Sequence, residues 1–426
     1  RAAQPLARHP ATKHRAQWSI LLHDPILVLT EQDGVFWEID CLTKTRRCID
    51  DPVMWLSQKS QEHQTQPCYD EAGDRLPFVG GLAGFLGFEF AQCLDDVEFE
   101  WVEDRPTPLL WVGVYEQVML CKHTSRSSVS RGGHANVNAC TPEIWSQGGA
   151  RMIGEQAKSH YMESVERSIH AIVELGDLFE INYTERFCAD VGLEPFDFYM
   201  KMRGVATGNY MAYLDTGDGW QLASVSPEQF ISCQDRHLVT RPIKGTCRRD
   251  EHDPVRDKEL AETLMASAKD RAENIMIVDL MRNDLTQVCE LGSVQATELC
   301  GLESFAGVHH LVSTVEGTLA EGLNAMDALL ASFPAGSITG APKLRSMEYI
   351  HELELSARGP YTGSMFYVSS CGQMDSSVLI RTAELCDGKA LYGAGGAIVS
   401  HSDAELEWNE ALLKARPFFG ALSDDK

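Results

Sequence analysis

The sequence predicts a mixed α/β protein with largely antiparallel sheets, and two observations carry this prediction. Short strand-like apolar runs follow one another along the chain, and single or paired helical segments interrupt them. A helix after every strand would instead predict a parallel sheet. The 426 residues are 44% hydrophobic and 23% charged, so the chain can bury the core of about two to three domains, or of one large α/β unit.

The charge balance excludes some classes of partner. The 37 Lys and Arg face 62 Asp and Glu, which gives a formal net charge of −25. Such a field repels nucleic acid and anionic membrane surfaces, and an anionic substrate would need local cations. The 13 cysteines form no metal-type CxxC pairs, and the sequence shows neither a long apolar run nor an apolar signal core. We therefore predict a reduced, soluble, cytoplasmic protein.

The N-terminal region, taken as residues 16–124, is predicted to be rich in strands. The run from Trp18 to Thr30 is strand-like and is broken at Asp24-Pro25, and a turn follows at Asp33-Gly34. Further predicted elements are a strand at Val35 to Ile39, a helix end and loop at Ser57 to Asp74, a tightly packed glycine-rich segment at Phe78 to Phe90 and one strand at Leu109 to Lys122. Residues 125–150, rich in Ser, Gly and Asn, are predicted to be a flexible insertion or linker.

The region 155–420 is predicted to be a second domain. Apolar residues recur at helical spacing from Tyr161 to Leu175, and Gly176 ends that helix. Strands are predicted at Phe179 to Val191, Tyr210 to Leu214, Leu222 to Val225, Phe230 to Cys233, His237 to Thr240, Gly363 to Ser369, Ser377 to Leu385 and Ala390 to Tyr392. Helices are predicted at Asp257 to Leu285 in two pieces, Ala325 to Ser332, Lys343 to Leu353 and Asp403 to Ala415.

A lysine at a strand end is the first candidate for chemistry. Lys244 lies between Pro242 and Gly245 in the segment RPIKGT, so stiff backbone holds it with little crowding. Such a lysine can act as a nucleophile or base if burial or a nearby cation lowers its pKa from about 10.4. The alternative is a surface lysine at a turn.

Two helical segments carry paired carboxylates. Asp270 and Glu273 are three residues apart, and Glu407 and Glu410 repeat that spacing on the last helix, for which Ser402 is the predicted N-terminal cap. Two such faces brought together would supply the oxygen ligands that Mg²⁺ prefers. The alternative is two solvated acidic faces.

Glycine-rich segments and isolated basic residues complete the candidates. Gly336 to Lys343 and Gly393 to Ala397 are predicted to be loops whose N–H groups can hold a carboxylate or phosphate, or else turns without a ligand. Arg381, in a predicted apolar strand, needs an anionic partner from a substrate or from the chain itself. Adjacent strand residues His309 and His310 point to opposite faces, so one of them at most can face a given site.

Taken together and in this order, the motifs resemble the chorismate-utilising enzymes, a family that includes anthranilate synthase component I, aminodeoxychorismate synthase component I, isochorismate synthase and salicylate synthase. The resemblance rests on PIKGT at 242–246, SAKDRAENIMIVDLMRNDL at 267–285, VHHLVSTVEGTL at 308–319, FPAGSITGAPK at 333–343, IRTA at 380–383 and GAGGAIVSHSDAELEWNEA at 393–411. It implies a two-lobed sandwich of largely antiparallel sheets flanked by helices, with an anthranilate synthase component I-like N-terminal region and a chorismate-binding catalytic domain.

The resemblance also implies roles for individual residues. Glu273 and Glu410 match ligands of Mg²⁺, with Asp270 and Glu407 reaching the ion through water. Chorismate would be bound by residues that match the family's substrate-binding positions: Thr339, Gly340, Lys343, Tyr367, Arg381, Gly395 and Gly396. Among them, Arg381 and Tyr367 match residues that bind the enolpyruvyl carboxylate. His310 matches a histidine near ring atom C4, and Glu228 matches a general acid for the leaving hydroxyl.

Within the family, PIKGT is typical of aminodeoxychorismate synthase component I, whereas anthranilate synthase usually has alanine in place of Lys244. The resemblance then implies that Lys244 attacks C2 of chorismate and that ammonia from a separate glutamine amidotransferase subunit adds at C4. It also raises the hypothesis that the N-terminal region holds tryptophan. Residues that depart from the family pattern are Ala335, Ala397, Trp408 and Ala411.

Overall fold

The computed structural model describes residues 18–62, 64–95, 97, 107–123, 128–131, 155–206, 208–250, 252–305 and 308–422. Its helices are α1 (Pro52–Gln61), α2 (Glu155–His170), α3 (Pro195–Val205), α4 (Pro254–Ala266), α5 (Ala268–Thr286), α6 (Ala325–Ser332), α7 (Lys343–Leu353), α8 (Ala404–Lys414) and α9 (Arg416–Leu422). None of the helices in these ranges is long and apolar enough to cross a membrane.

The strands alternate irregularly with these helices. They are β1 (Trp18–Leu21), β2 (Leu27–Gln32), β3 (Val35–Asp40), β4 (Arg46–Ile49), β5 (Gly81–Leu86), β6 (Leu110–Tyr115), β7 (Val118–Lys122), β8 (Ser128–Arg131), β9 (Glu180–Asp190), β10 (Tyr210–Asp215), β11 (Trp220–Ser226), β12 (Gln229–Gln234), β13 (His237–Thr240), β14 (Ile243–Arg248), β15 (Gln295–Phe305), β16 (Val308–Thr318), β17 (Gly340–Ala341), β18 (Ser364–Ser369), β19 (Met374–Val378), β20 (Thr382–Cys386) and β21 (Lys389–Ile398).

A large antiparallel sheet joins the two halves of the chain. Its strand order is β14-β16-β13-β12-β19-β18-β5-β6-β2-β3-β4, and β15 pairs with β16. The N-terminal strands enter it where β5 pairs with β18, from Ser364 opposite Leu86 to Ser369 opposite Gly81. The predicted N-terminal region therefore shares a sheet with the C-terminal half, and the boundary at residue 124 stays a prediction. Of the predicted linker 125–150, only 128–131 lie within the described residues, as strand β8.

A second antiparallel sheet, with the order β10-β11-β20-β21-β9-β17, faces the first. Its central pair is β9 with β21, which runs from Lys389 opposite Asp190 to Ile398 opposite Ile181. The main hydrophobic cluster fills the space between sheets and helices and includes fully buried Phe88, Phe187 and Phe198. The predicted α/β class with antiparallel sheets is confirmed.

Three local predictions are wrong, each for a physical reason. Leu109 to Lys122 is two strands, β6 and β7, which belong to different sheets. Ser377 to Leu385 is also two strands, because Arg381 takes a left-handed conformation (φ 52°) between β19 and β20. The predicted cap Ser402 is not the cap of α8. Asp403 caps that helix by accepting a hydrogen bond from the Leu406 N–H, and Ser402 Oγ instead donates to Glu407.

A buried arginine ties the second sheet to the segments on both sides of α7. The Arg358 guanidinium is 1% exposed, donates to both carboxylate oxygens of Glu354 and also donates to the carbonyls of Asn182 and Ile338. Glu354 in turn accepts hydrogen bonds from the N–H and hydroxyl of Thr184. This network fixes β9 against the segment that precedes α7, and sequence reasoning did not identify it.

Candidate active site

A β-bulge places Lys244. Strand β14 pairs with β16 through Ile243 opposite Val312 and Thr246 opposite His310, so β14 contains one extra residue between these pairs. Gly245 takes up the irregularity with φ +91°, a conformation that side chains disfavour. Asn274 on α5 fixes the same point, because its Nδ2 donates to the carbonyls of Lys244 (3.4 Å) and Leu311 (3.3 Å).

The Lys244 ammonium bridges the two sheets. Its Nζ donates to Oε1 of Glu180 at 2.7 Å, and the two side chains are 10% and 0% exposed. Glu180 begins β9 and lies beside β17, where Gly340 (φ +141°) leaves no room for a Cβ because the Glu180 carbonyl oxygen would be 2.3 Å from it. The alternative of a surface lysine at a turn is excluded. Sequence reasoning missed Glu180, which is 64 residues away in the chain.

Carboxylates surround Lys244 and control its charge. Burial alone would lower the lysine pKa, but the negative charges of Glu180, Glu273 and Glu228 outweigh burial and leave the pKa of Lys244 raised. The carboxylates therefore oppose the fall in pKa that a nucleophilic Lys244 requires. The RPIKGT motif contains no proton acceptor of its own, and the fold brings Glu180 to the lysine. The RPIKGT motif reveals the lysine but not the carboxylates that the fold brings to it.

Glu228 occupies a place suited to a proton donor. Its side chain is 5% exposed, accepts a hydrogen bond from Ser337 Oγ at 2.7 Å and also accepts one from the Ile243 N–H. Burial raises the pKa of Glu228 despite these hydrogen bonds and the charge of Lys244. A raised pKa favours the protonated carboxyl that a general acid requires.

The acidic faces of α5 and α8 lie close enough for the same lysine to act on both. Burial raises the pKa of Glu273 to about 7 and, with Glu410 nearby, also raises the pKa of Glu407. Lys414, at 2.8 Å, lowers the pKa of Glu410, with smaller contributions from Lys244 and Lys269. Lys269 acts on carboxylates of both helices, so the structure brings the two predicted faces together. Sequence reasoning missed Lys414, which also donates to the Gly395 carbonyl at 2.8 Å.

The donor set fits a hard divalent cation. Within the described ranges no three His, Cys, Asp or Glu side chains could hold a metal ion by themselves. Mg²⁺ commonly takes one or two carboxylates and completes its shell with water and substrate oxygens. Oε1 of Glu273 is buried and accepts no hydrogen bond from the described residues. A Cβ on Gly396 would lie 3.0 Å from Oε2 of Glu407 and 3.6 Å from Oε1 of Glu410, so glycine keeps space open beside these oxygens.

The predicted loop Gly393 to Ala397 is in fact part of strand β21. Gly395 pairs with Thr184 and Gly396 with Tyr183, and a Cβ on Gly395 would lie 2.0 Å from the Tyr183 carbonyl oxygen. The glycines therefore serve the close approach of β9 and β21. Their predicted binding of a carboxylate remains untested. Trp408, a departure from the family pattern, packs edge-on against Tyr161 in the core with ring centroids 5.3 Å apart.

Arg381 lies close enough to interact electrostatically with both His310 and Glu228. Burial lowers the pKa of Arg381 while Tyr392 and Glu228 raise it, and burial together with Arg381 lowers the pKa of His310 to about 3. His310 is therefore neutral at pH 7, and its Nδ1 lies 2.8 Å from Thr246 Oγ1. His309 points away, to Asp257 and Ser304.

Arg381 forms no ion pair with the described residues. A largely buried guanidinium without an internal carboxylate is suited to an anionic ligand. Tyr367, predicted to act with Arg381, instead packs edge-on against Phe78 in the second hydrophobic cluster, with ring centroids 5.7 Å apart. Tyr392 is the tyrosine that acts on the pKa of Arg381, and sequence reasoning missed it.

In the segment that leads into α7, the polar groups of Thr339 and Lys343 are already hydrogen-bonded within the protein. Thr339 is fully buried, and its hydroxyl donates to the carbonyls of Ala335 (3.2 Å) and Gly336 (3.3 Å). Lys343 Nζ donates to Asp284 Oδ2 at 2.7 Å and to the Ser332 carbonyl at 3.0 Å. Substrate binding by Thr339, Gly340 and Lys343 stays a prediction.

A family model described as chorismate binding enzyme matches residues 24–420 of this chain. The chain belongs to this family. It is a chorismate-utilising enzyme, and the resemblance inferred from its motifs is confirmed. The family assignment therefore identifies the junction between the two sheets as the candidate active site. Lys244, Glu180 and Glu228 meet at this junction.

The similar proteins within the family carry the names of different enzymes. The chain is 36% identical over 418 residues to aminodeoxychorismate synthase component 1 of Escherichia coli, covering 96% of this chain and 89% of that protein. It is 41% identical over 366 residues to anthranilate synthase component 1 of Thermus thermophilus, covering 82% and 79%. The solved structure of anthranilate synthase component I from Streptococcus pneumoniae superposes with a TM-score of 0.81 at 30% identity, covering 96% and 93%.

Proposed function

We propose that this chorismate-utilising enzyme aminates chorismate at C4 to give 4-amino-4-deoxychorismate, the reaction of an aminodeoxychorismate synthase component 1 in para-aminobenzoate and folate biosynthesis. One observation carries the proposal: the bulge in β14 directs the Lys244 amine into a buried space beside Glu180, Glu228 and Glu273. A lysine held in this way is suited to nucleophilic catalysis. The aminodeoxychorismate synthase relatives support the choice.

The proposed reaction consists of two successive displacements, in which each of these residues has a separate role. Lys244 attacks C2 of the ring, the ring double bonds shift, and the C4 hydroxyl leaves as water with the proton of Glu228. Ammonia then adds at C4 and expels the lysine from C2, so the enolpyruvyl group is retained. Arg381 binds a substrate carboxylate, and neutral His310 lies near Arg381. Two displacements of moderate barrier replace a single difficult one.

A divalent cation would supply charge neutralisation for the ring carboxylate. Glu273 and Glu410 would hold Mg²⁺ directly, with Asp270 and Glu407 acting through water. Without a cation the acidic faces of α5 and α8 would repel a dicarboxylate, because the positive charges of Lys244 and Lys414 are already paired with Glu180 and Glu410.

Ammonia is proposed to come from a separate glutamine amidotransferase subunit, as the component 1 names of the relatives suggest. Tryptophan binding in the N-terminal region remains a hypothesis, and a cytoplasmic location remains an expectation. Anthranilate synthase component I activity is the alternative, favoured by the relative that is 41% identical, and isochorismate synthase activity is a further one. Lys244 argues against both.

The product identifies the reaction. With chorismate, Mg²⁺ and ammonium at alkaline pH, we expect the purified chain to form an aminated product that retains the enolpyruvyl group, as measured by liquid chromatography with mass spectrometry. Glutamine in place of ammonium should give no product, because the sequence shows no Cys-His glutaminase signature. Release of pyruvate and anthranilate in equal amounts would move the assignment to anthranilate synthase, and glutamine-dependent turnover would reveal an amidotransferase site in this chain.

The metal proposal predicts a change in Mg²⁺ dependence. Glu273→Gln and Glu410→Gln each remove one anionic oxygen donor, so the Mg²⁺ concentration for half-maximal activity should rise at least about tenfold. A titration of activity with Mg²⁺ at a fixed chorismate concentration measures this rise. Glu262→Gln on α4, whose carboxylate is paired with Lys258 at the surface, is the matched control. Unchanged Mg²⁺ dependence of both variants would contradict the assignment.

A further inference from the structure

The hydrogen bond between Lys244 and Glu180 is the contact from which a further role follows. Nζ of the lysine lies 2.7 Å from Oε1 of Glu180, which is fully buried. The second carboxylate oxygen, Oε2, is also buried and accepts no hydrogen bond from the described residues. A protein rarely leaves such an oxygen without a partner. The carboxylate is thus only half satisfied by the lysine.

We propose that Glu180 accepts the proton that Lys244 must lose before it attacks chorismate, and returns it when the lysine is expelled. The inference rests on the proposed function, since it concerns the lysine of the covalent step. Transfer takes place along an existing hydrogen bond, so no rearrangement of either side chain is needed.

Other acidic groups face Lys244, but each has a different arrangement. Glu228, between β11 and β12, already accepts from Ser337 and the Ile243 N–H. On α5, Glu273 acts on the lysine by charge without a hydrogen bond to Nζ, and on α8 Glu410 is paired with Lys414. Glu180 is therefore the carboxylate to which the lysine proton is directed.

Burial makes the transfer feasible in the enclosed site. The carboxylates keep the pKa of Lys244 raised, so the lysine cannot deliver a free amine by losing its proton to bulk water at pH 7. Transfer to Glu180 converts two buried charges into two neutral groups, which removes the cost of keeping both charges out of water. Substrate that excludes the remaining water strengthens this effect.

The protons balance over the two displacements. Glu180 takes one proton from the Lys244 ammonium, and the neutral amine forms the bond to C2 while the C4–O bond breaks and Glu228 protonates the departing hydroxyl. Ammonia then forms the bond to C4, and the lysine leaves C2 with its bonding pair as a neutral amine. Glu228 takes a proton from the new C4 ammonium group, and Glu180 returns its proton to Lys244. Chorismate and ammonia become 4-amino-4-deoxychorismate and water.

The backbone supports a fixed distance between the two groups. The Glu180 carbonyl accepts from Ser346 Oγ at 3.2 Å, and Gly340 and Ala341 pair with Ile181 and Glu180. Substitution of the Glu180 carboxyl therefore alters the proton acceptor without a change in the strand that carries it.

The test is the formation of the covalent intermediate as a function of pH. Purified wild type and Glu180→Gln are mixed with chorismate and Mg²⁺ in the absence of ammonia, and intact-protein mass spectrometry follows the adduct of chorismate minus water. The titration of Glu228 and Glu273 acts on both proteins, so the ratio of the variant rate to the wild-type rate is compared at each pH between 6.5 and 9. Glu180→Gln should be at least about tenfold slower than wild type at pH 7, and this ratio should rise about tenfold per pH unit.

Matched variants separate this role from a loss of structure. Glu185→Gln makes the same change five residues along β9, where the carboxylate has no contact with Lys244, and should keep the ratio to the wild-type rate near one at every pH. Glu180→Asp keeps a base at a longer distance, so its rate should fall while its ratio to the wild-type rate stays constant with pH.

The outcomes distinguish the two proposals. A wild-type adduct that Glu180→Gln forms at the same rate, with the same pH profile, overturns the role of Glu180 and leaves the proposed function intact. A wild-type protein that forms no adduct overturns the covalent step and the role of Glu180 with it.

Discussion

Lys244→Ala should lower the turnover of chorismate with ammonia at least about a hundredfold, which corresponds to about 2.7 kcal/mol in the activation barrier. The variant removes the amine that forms the bond to C2, whereas the proposed carboxylate-binding groups, Mg²⁺ and Arg381, are retained. We therefore expect kcat to fall while KM for chorismate changes less than about threefold. Steady-state rates at saturating Mg²⁺ and the intact mass of the enzyme with chorismate measure the two effects.

Two further variants define what Lys244 contributes. Lys244→Arg keeps a positive charge opposite Glu180 but cannot supply a free amine, so it should lose turnover as Lys244→Ala does. Lys258→Ala, at an exposed position on α4, controls for the loss of a lysine in general. Retention of more than about a tenth of the wild-type rate by Lys244→Ala would show that the lysine is not the nucleophile.

Arg358→Met should destabilise the protein by about 3–5 kcal/mol. The substitution leaves the buried Glu354 carboxylate without its counter-charge and removes the donors to the carbonyls of Asn182 and Ile338. Breaking a buried pair from one side is costly because the remaining charge stays desolvated. Urea denaturation followed by circular dichroism measures the change in the free energy of unfolding.

Arg345→Met provides the matched control. Arg345 also contacts two carboxylates, Asp177 and Glu348, but its side chain is 42% exposed, so its loss should cost about 0–1 kcal/mol. The double variant Arg358→Met with Glu354→Gln should recover part of the stability, because it removes the uncompensated charge. Equal destabilisation by Arg345→Met and Arg358→Met would contradict the role given to the buried network.

Segments governed by local pattern were predicted well. Helices α6 and α7 span the predicted residues, Ala325–Ser332 and Lys343–Leu353, and strand β13 spans His237–Thr240. Each has a clear apolar period and a nearby Pro, Gly or Asn that limits it, so short-range physics fixes its bounds. Arg381 and the glycines of β21 were misassigned because their conformations depend on partners elsewhere. Arg381 interrupts a strand, and Gly395 lies in one since β9 must approach it closely.

The sequence by itself determined the family, because six motifs in one order identify residues such as Lys244, Glu273 and Glu410 without knowledge of their positions. The tertiary structure alone decided the electrostatic state of that set. It placed Glu180 at 2.7 Å from Lys244, surrounded the lysine with carboxylates that raise its pKa, and left Arg381 without an ion pair among the described residues. The physical reason is the distance along the chain over which each property is determined. Motif and periodicity depend on neighbours in the chain, whereas charge and burial depend on groups that only the packing of two sheets brings together.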